Sequence, residues 1–421
     1  MKNSGQPPEP WLNRRSLSWV GYDTATSVYV GVVPSLLAPL YIRELSGGFE
    51  NPTAVWGGLS ALAVLVSSIA ALAAAFMAER VARFTLLAIL SAALVAAIVA
   101  LAWNPHASLA QAALAFIAAQ SFYFAAMTIY ESFLPDIVPS SARQKLSGLG
   151  WAIGYLGGIL SILVLLVLVA GRPQSLDVLA LCFAALAVIG GLMCAMVLLL
   201  MRGTGFAEIP SAGGVPRIGS VFGAFRHWRA SSAIIRLLLG TMLIQMSVFV
   251  VVTFTTPILS DRFGQSLDDL LWLLLVVHLL SVPSTLAWSH VMAGASRRAA
   301  TLFLLASWAA VLLLLAFGSG TWMPLITVTV IGCCLGATFS GLRGFLAEGV
   351  EEQNSVVAFA LATAAGRMAA ALGPGVFSLI LYVAGEQAAL VTMVLVLALG
   401  GAVLFTYLGR NTSPAKSQPL S

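Results

Sequence analysis

Polar punctuation divides this chain into twelve apolar runs of at least about 20 residues, the length a helix needs to cross a bilayer. With edges uncertain by a few residues, they cover 17–42, 54–77, 84–103, 108–132, 146–170, 176–201, 233–259, 269–292, 299–318, 322–347, 355–383 and 387–409. Only 9% of the residues are charged and 60% are hydrophobic, whereas a soluble domain carries roughly 25% charged residues. So few charges cannot cover a water-facing surface. The expected fold class is therefore an all-α membrane protein with twelve transmembrane helices. The first run lacks a small-residue cleavage pattern and is expected to be a retained span rather than a signal peptide.

Connections between the runs are short except for 202–232, which contains Pro210, Gly213, Gly214 and Pro216. That stretch divides six runs from six. The expected organisation is an N-terminal six-helix half over 1–201, a linker over 202–232 and a C-terminal half over 233–421. With the N-terminus placed in the cytoplasm, fifteen Lys and Arg residues fall on the cytoplasmic side and three, Arg43, Arg172 and Arg262, on the outer side. This bias predicts that both termini and the linker are cytoplasmic. It also explains the net charge of +5 without nucleic acid.

The halves repeat. Glu131-Ser-Phe-Leu-Pro-Asp-Ile-Val138 matches Arg343-Gly-Phe-Leu-Ala-Glu-Gly-Val350 at an offset of 212, with Asp136 on Glu348. In the same register Gly150, Gly154 and Gly158 fall on Ala362, Gly366 and Ala370, and Tyr155 falls on Arg367. Ser27-Val-Tyr-Val30 resembles Ser247-Val-Phe-Val250 at an offset of 220. Two parallel, pseudo-symmetric repeats suit a transporter with a site between its halves. The glycine and alanine ladders, at i, i+4 and i+8, let neighbouring helices approach closely.

Ionisable groups inside a span are costly and point to function. Arg367 lies about twelve residues into the eleventh run, roughly 18 Å deep at 1.5 Å per residue. It is a candidate clamp for an anionic group; a structural pair or a carbonyl cap is the alternative. Asp23, in the first run, suits a proton or an amine, or a gate-locking pair with an arginine. Glu131 and Arg343 are candidates for a gate pair, against contacts within each half to Asp136 or Lys145. Gln120 and Gln245 suit either a wet cavity or interhelical hydrogen bonds. His278, alone on an apolar helix, reads more readily as structural. Pro34, Pro39, Pro257, Pro283 and Pro374 are candidate bends. No spacing calls for a metal or a cofactor, the four cysteines read as buried free thiols, and no nucleophile–base constellation suggests an enzyme.

Two segments resemble the loop G-x-x-x-D-R-x-G-R-R of the major facilitator superfamily: Ala75-Phe-Met-Ala-Glu79-Arg80-Val-Ala82-Arg83-Phe84 and Ser289-His-Val-Met-Ala293-Gly-Ala-Ser296-Arg297-Arg298. Glu79 and Arg80 keep the acid–base pair; the second copy loses the acid. Gly21-Tyr22-Asp23-Thr-Ala-Thr-Ser27, Tyr130-Glu131-Ser-Phe-Leu-Pro135-Asp136-Ile137 and Ser147-Gly-Leu-Gly-Trp151-Ala-Ile-Gly154-Tyr155-Leu-Gly157-Gly158 are similar to signatures of its vacuole-effluxer-like branch, which includes fungal vacuolar amino-acid effluxers and bacterial relatives. Thr26 and Glu131 stand where that branch usually has Asn. The resemblance implies a secondary transporter of a small organic solute, an amino acid or related metabolite, working by alternating access, coupled to protons and directed to efflux. It would be a monomer in a bacterial plasma membrane, with substrate-binding residues Arg367, Asp23, Tyr155, Gln120 and Gln245. Movement of a lipid or hydrophobic compound, and a non-transporting sensor or assembly role, are the alternative readings.

Overall fold

The computed structural model describes residues 11–209, 232–294, 297–349 and 355–410, and among these it contains helices and no strand. Twelve helical spans follow one another: Arg14–Leu45, broken by a π turn, then Pro52–Met77, Arg83–Trp103, Leu109–Glu131, Ser140–Val169, Leu176–Gly203, Ser232–Phe263, Leu267–Gly294, Arg297–Phe317, Met323–Gly349, Ser355–Ala384 and Glu386–Arg410. They are numbered one to twelve here. Eleven are long and apolar enough to cross a membrane; in span ten the described apolar stretch is the shorter Met323–Thr338. The chain is a multi-pass integral membrane protein.

Polar caps decide where several spans begin. Asn13 accepts from the Ser16 amide while Ser16 returns a bond to the Asn13 amide. Ser108 and Gln111 form the same reciprocal pair before span four. Each closes two of the donors that a helix start leaves open. Between spans seven and eight only three residues turn the chain, and Gly264 at φ 62° takes the left-handed conformation that makes this possible.

Pro34 accounts for the break in span one. It has no amide hydrogen to continue the helical ladder, and Val33–Leu37 widens into a π turn in which the Leu37 amide bonds the Val32 carbonyl at 3.2 Å. Pro257, Pro283 and Pro374 lie inside continuous helices. Span four ends at Glu131, and a one-turn helix, Leu134–Ile137, precedes span five.

The helices sort into two units, neither identical with a sequence half. The first comprises Met1–Pro52, Leu62–Val215 and Gly264–Leu279; the second comprises Thr53–Ala61, Pro216–Phe263 and Leu280–Ser421. The starts of spans two and eight pack with helices of the other sequence half. Side-chain packing is the reason. In the second unit, Trp56 donates its indole N–H to the Thr253 carbonyl at 3.0 Å, and Gly57 lies against Phe254 and Ser378. In the first unit, His278 lies against Gly31 and Gly158.

Inside the first unit, span five packs along span one. A Cβ on Gly157 would fall on the Thr24 carbonyl oxygen, so only a glycine permits this approach. An aromatic core of Trp19, Tyr22, Tyr130, Phe133 and Phe206 fills one end of the unit. Inside the second unit, spans seven and twelve meet at Gly240 and Gly400, where a Cβ on either would stand 2.9 Å from a backbone nitrogen of the other helix. Side chains such as Ile69, Val167 and Leu199, at 69%, 79% and 69% exposure, are left to face lipid.

Candidate functional site

Asp23 is half-buried on span one, at the place where span five presents glycines. Its Oδ2 lies 3.1 Å from where a Cβ on Gly154 would stand, and 3.5 Å from the corresponding point on Gly150. Ser27 Oγ lies 3.2 Å from the Gly154 point, and the Tyr130 hydroxyl 3.8 Å from the Gly150 point. The two missing methyl groups therefore let the carboxylate lie close against span five, with two hydroxyls beside it.

Tyr130 is held firmly. Its ring stacks on Trp19 at 4.4 Å with an interplanar angle of 11°, and on Tyr22 at 5.1 Å and 28°. The Trp19 indole N–H donates to the Tyr130 carbonyl at 3.1 Å. Tyr22 in turn shares a 2.8 Å hydrogen bond with Ser91 on span three. The Tyr130 hydroxyl is buried and has no hydrogen-bond partner among the described residues.

Gln120 is buried and accepts from the Tyr29 hydroxyl at 2.9 Å, joining spans four and one. Of its two sequence readings, the structure shows the interhelical bond. Tyr155 meets His278 edge-on at 5.8 Å and 83°. The His278 Nδ1 is 3.0 Å from the Leu274 carbonyl, so Nδ1 carries the hydrogen and Nε2 faces Gly31 and Gly158.

In the second unit, Gln245 occupies the place that Asp23 has in the first. Its Oε1 lies 3.0 Å from the Cβ position of Gly366, the repeat partner of Gly154. Arg367 follows, half-buried, with Nη1 shielded from solvent. The packing register between spans one and seven is thus 222, two residues from the 220 of the short sequence match.

A second polar cluster sits at the start of span three. Arg83, 5% exposed, donates through Nη1 to the Ser132 carbonyl and through Nη2 to Asp136 Oδ2, both at 2.8 Å, and its guanidinium lies 4.9 Å from the Phe133 ring centroid. The arginine closes the corner between spans three, four and five. Arg83 stands in the first copy of the repeated loop. Glu79 and Arg80, the pair singled out in that loop, are exposed, as is Glu131. The side chains of Arg343 and Glu348 lie outside the described residues, and the expected gate pair with them. Among the described residues, no group of three or more metal-ligating side chains converges.

Residues 237–421 match the Major Facilitator Superfamily. A bacterial homolog of the human lysosomal transporter Spinster, solved inward-facing and unoccupied, superposes with a TM-score of 0.69 at 15% identity, covering 97% of this chain and 100% of that one. The chain has the major facilitator fold. The nucleoside transporter NupG matches this fold with a TM-score of 0.70 at 12% identity, over 95% and 100% of the two chains. A D-xylose–proton symporter gives 0.66 at 15%, over 93% and 95%. No curated protein matches the sequence significantly. The superfamily match covers the C-terminal part of the chain, and these solved structures share the fold of nearly all of it.

Proposed function

We propose that this protein is a proton-coupled secondary transporter that exports a small organic solute, an amino acid or related metabolite, by alternating access from a bacterial cytoplasm. The observation that carries the reading is Asp23, a half-buried carboxylate inside span one that lies close against Gly150 and Gly154 of span five. An aspartate at a helix centre costs roughly 2.5–3.5 kcal/mol on translocon scales, and one that takes and gives up a proton during each cycle has a reason to be there. One fold neighbour is a D-xylose–proton symporter, so the architecture is compatible with proton coupling. Arg367, deep in span eleven, supplies a positive charge for an anionic group on the solute. The resemblance of Tyr22-Asp23 and Ser147–Gly158 to the vacuole-effluxer-like branch supports the solute class and the direction.

Purified protein in liposomes, tested with labelled amino acids, small organic anions and a fluorescent lipid, with and without an imposed pH gradient, tests this reading. Gradient-stimulated amino-acid movement is expected in the wild type. Asp23→Asn is expected to lose the stimulation while retaining solute exchange. Arg367→Ala is expected to lose both and to remain monodisperse. Movement of the lipid alone would replace the solute reading with the lipid one, and full activity of Arg367→Ala would remove that arginine from the site.

A further inference from the structure

The mechanism proposed above leaves the buried Tyr130 hydroxyl unused. It is 2% exposed, fixed by two stacked rings and the Trp19 bond, and without a hydrogen-bond partner among the described residues. A buried hydroxyl left in that condition is destabilising, so its place beside Asp23 calls for a reason. Both the hydroxyl and Asp23 Oδ2 lie within 3.8 Å of the same point, the missing Cβ of Gly150. They make no direct hydrogen bond. Both oxygens border the same gap, and a bridging water is nearly as favourable as a direct bond.

We infer that Tyr130 is a positioning residue for proton handling at Asp23, acting through one water seated in the Gly150 notch. The inference rests on the reading of Asp23 as the proton site. When Asp23 is ionised, the tyrosine hydroxyl donates to the water and the water donates to the carboxylate. When Asp23 takes up a proton, the water turns and accepts from it. Tyr130 keeps its own proton throughout. Besides Tyr130, the titratable groups near this corner are Tyr22 on span one, Tyr123 and Glu131 on span four and Cys194 on span six; span five contributes Gly150 and Gly154.

Two variants test this from opposite sides. Tyr130→Phe removes the hydroxyl and keeps both ring stacks. Gly150→Ala touches no polar atom but fills the notch: its Cβ would meet Trp19, Asp23 and Tyr130 at 3.4, 3.5 and 3.8 Å, ordinary contact distances, so the fold accommodates it. Each takes a donor from the charged form of the carboxylate. The pH of half-maximal transport in liposomes is expected to move upward by about half to one unit in both, the equivalent of one hydrogen bond. The double variant is expected to shift no further than either single one. Unmoved profiles in both variants, while Asp23→Asn abolishes the pH dependence, would overturn the role of Tyr130 and leave Asp23 in place. A wild-type profile in Asp23→Asn would overturn the proton site itself. A shift in Tyr130→Phe alone would show that the hydroxyl acts without the notch, and would overturn the water bridge.

Discussion

Span five meets span one across Gly154 and Asp23; span eleven meets span seven across Gly366 and Gln245. The two contacts occupy the same place in the two repeats, yet one holds a carboxylate and the other an amide. The residue after the glycine also differs, Tyr155 in the first unit and Arg367 in the second. Internal duplication has kept the small residue that lets the helices approach and has changed the polar group set against it. Under the proposed function this divides the labour: the first unit holds the group that can change charge, and the second holds the group whose charge is fixed. Guanidinium groups stay protonated at any pH a cell meets, whereas a carboxylate can exchange its proton.

Alanine at the small-residue positions breaks the two contacts unequally, and this is the largest effect expected. Gly157→Ala drives a Cβ into the Thr24 carbonyl, a backbone atom that cannot turn aside. Overpacking of this kind costs about 1–3 kcal/mol, and the variant is expected to lose most of its folded yield and to melt well below the wild type in detergent. Gly366→Ala meets only the end of the Gln245 side chain, which has other rotamers, so a cost under about 1 kcal/mol is expected. Equal melting temperatures for the two variants would show that the interfaces are equally rigid and that the asymmetry is confined to their polar groups.

The stretches that cross between sequence halves sharpen the comparison. His278 rests on Gly158, with its ring 2.7 Å from the position a Cβ would take, and Gly57 rests on Phe254 and Ser378. Gly158→Ala is expected to reduce transport about tenfold or more. His278→Ala in the same chain is expected to restore much of it, because the obstacle is one imidazole. Gly57→Ala is expected to lose activity too, but Ser378→Ala would not restore it, since the Phe254 ring, 4.2 Å from Phe377 between centroids, fills the same space. Liposome transport of the two single and two double variants checks both halves of the statement. Failure of His278→Ala to rescue would mean that Gly158 is needed for something other than seating the histidine.

These contacts also show what could be read from the chain. The twelve spans were legible because each is a long apolar run, and the Gly150, Gly154, Gly158 ladder because its four-residue spacing marks one helix face. Gly157, where the fit between spans one and five is tightest, lies off that ladder. The partners of the ladder were not legible either: Asp23 and Gln245 face it because of a helix rotation and a two-residue register shift that four matching residues could not define. The same holds for His278, which read as a lone structural histidine, and for the start of span two. Both pack against helices of the other sequence half, because pairing in a bundle is decided by packing and not by proximity along the chain.

Arg83 tests how much a buried charge matters at the end of the first unit. Asp136→Asn leaves the guanidinium its Ser132 carbonyl and its place over Phe133 but removes the opposite charge. Because the Asp136 side chain is 42% exposed, solvent screens much of the attraction, and the expected loss is about 1 kcal/mol or less. Arg83→Ala is expected to cost more, since it also empties the corner between Phe133 and the chain after span four. A thermal scan of both variants in detergent ranks them. If Asp136→Asn proves as harmful as Arg83→Ala, the ion pair and not the packing of the arginine holds that corner.

The smallest effect belongs to the one predicted amide whose bond is plain. Tyr29→Phe removes the donor to Gln120 Oε1 and leaves the rest of the ring in place. Interhelical hydrogen bonds in membranes average about 0.6 kcal/mol in double-mutant cycles, so a small fall in melting temperature is expected, with transport near wild type. Gln120→Leu should cost a similar amount, and the double variant Tyr29→Phe/Gln120→Leu little more than either, because both partners are then apolar. This separates the buried amide of the first unit from Gln245, the amide that faces Gly366 in the second. If Tyr29→Phe instead abolishes transport while melting normally, the Tyr29–Gln120 pair contacts the solute, and the polar path of the first unit extends along span one from Asp23 to Tyr29.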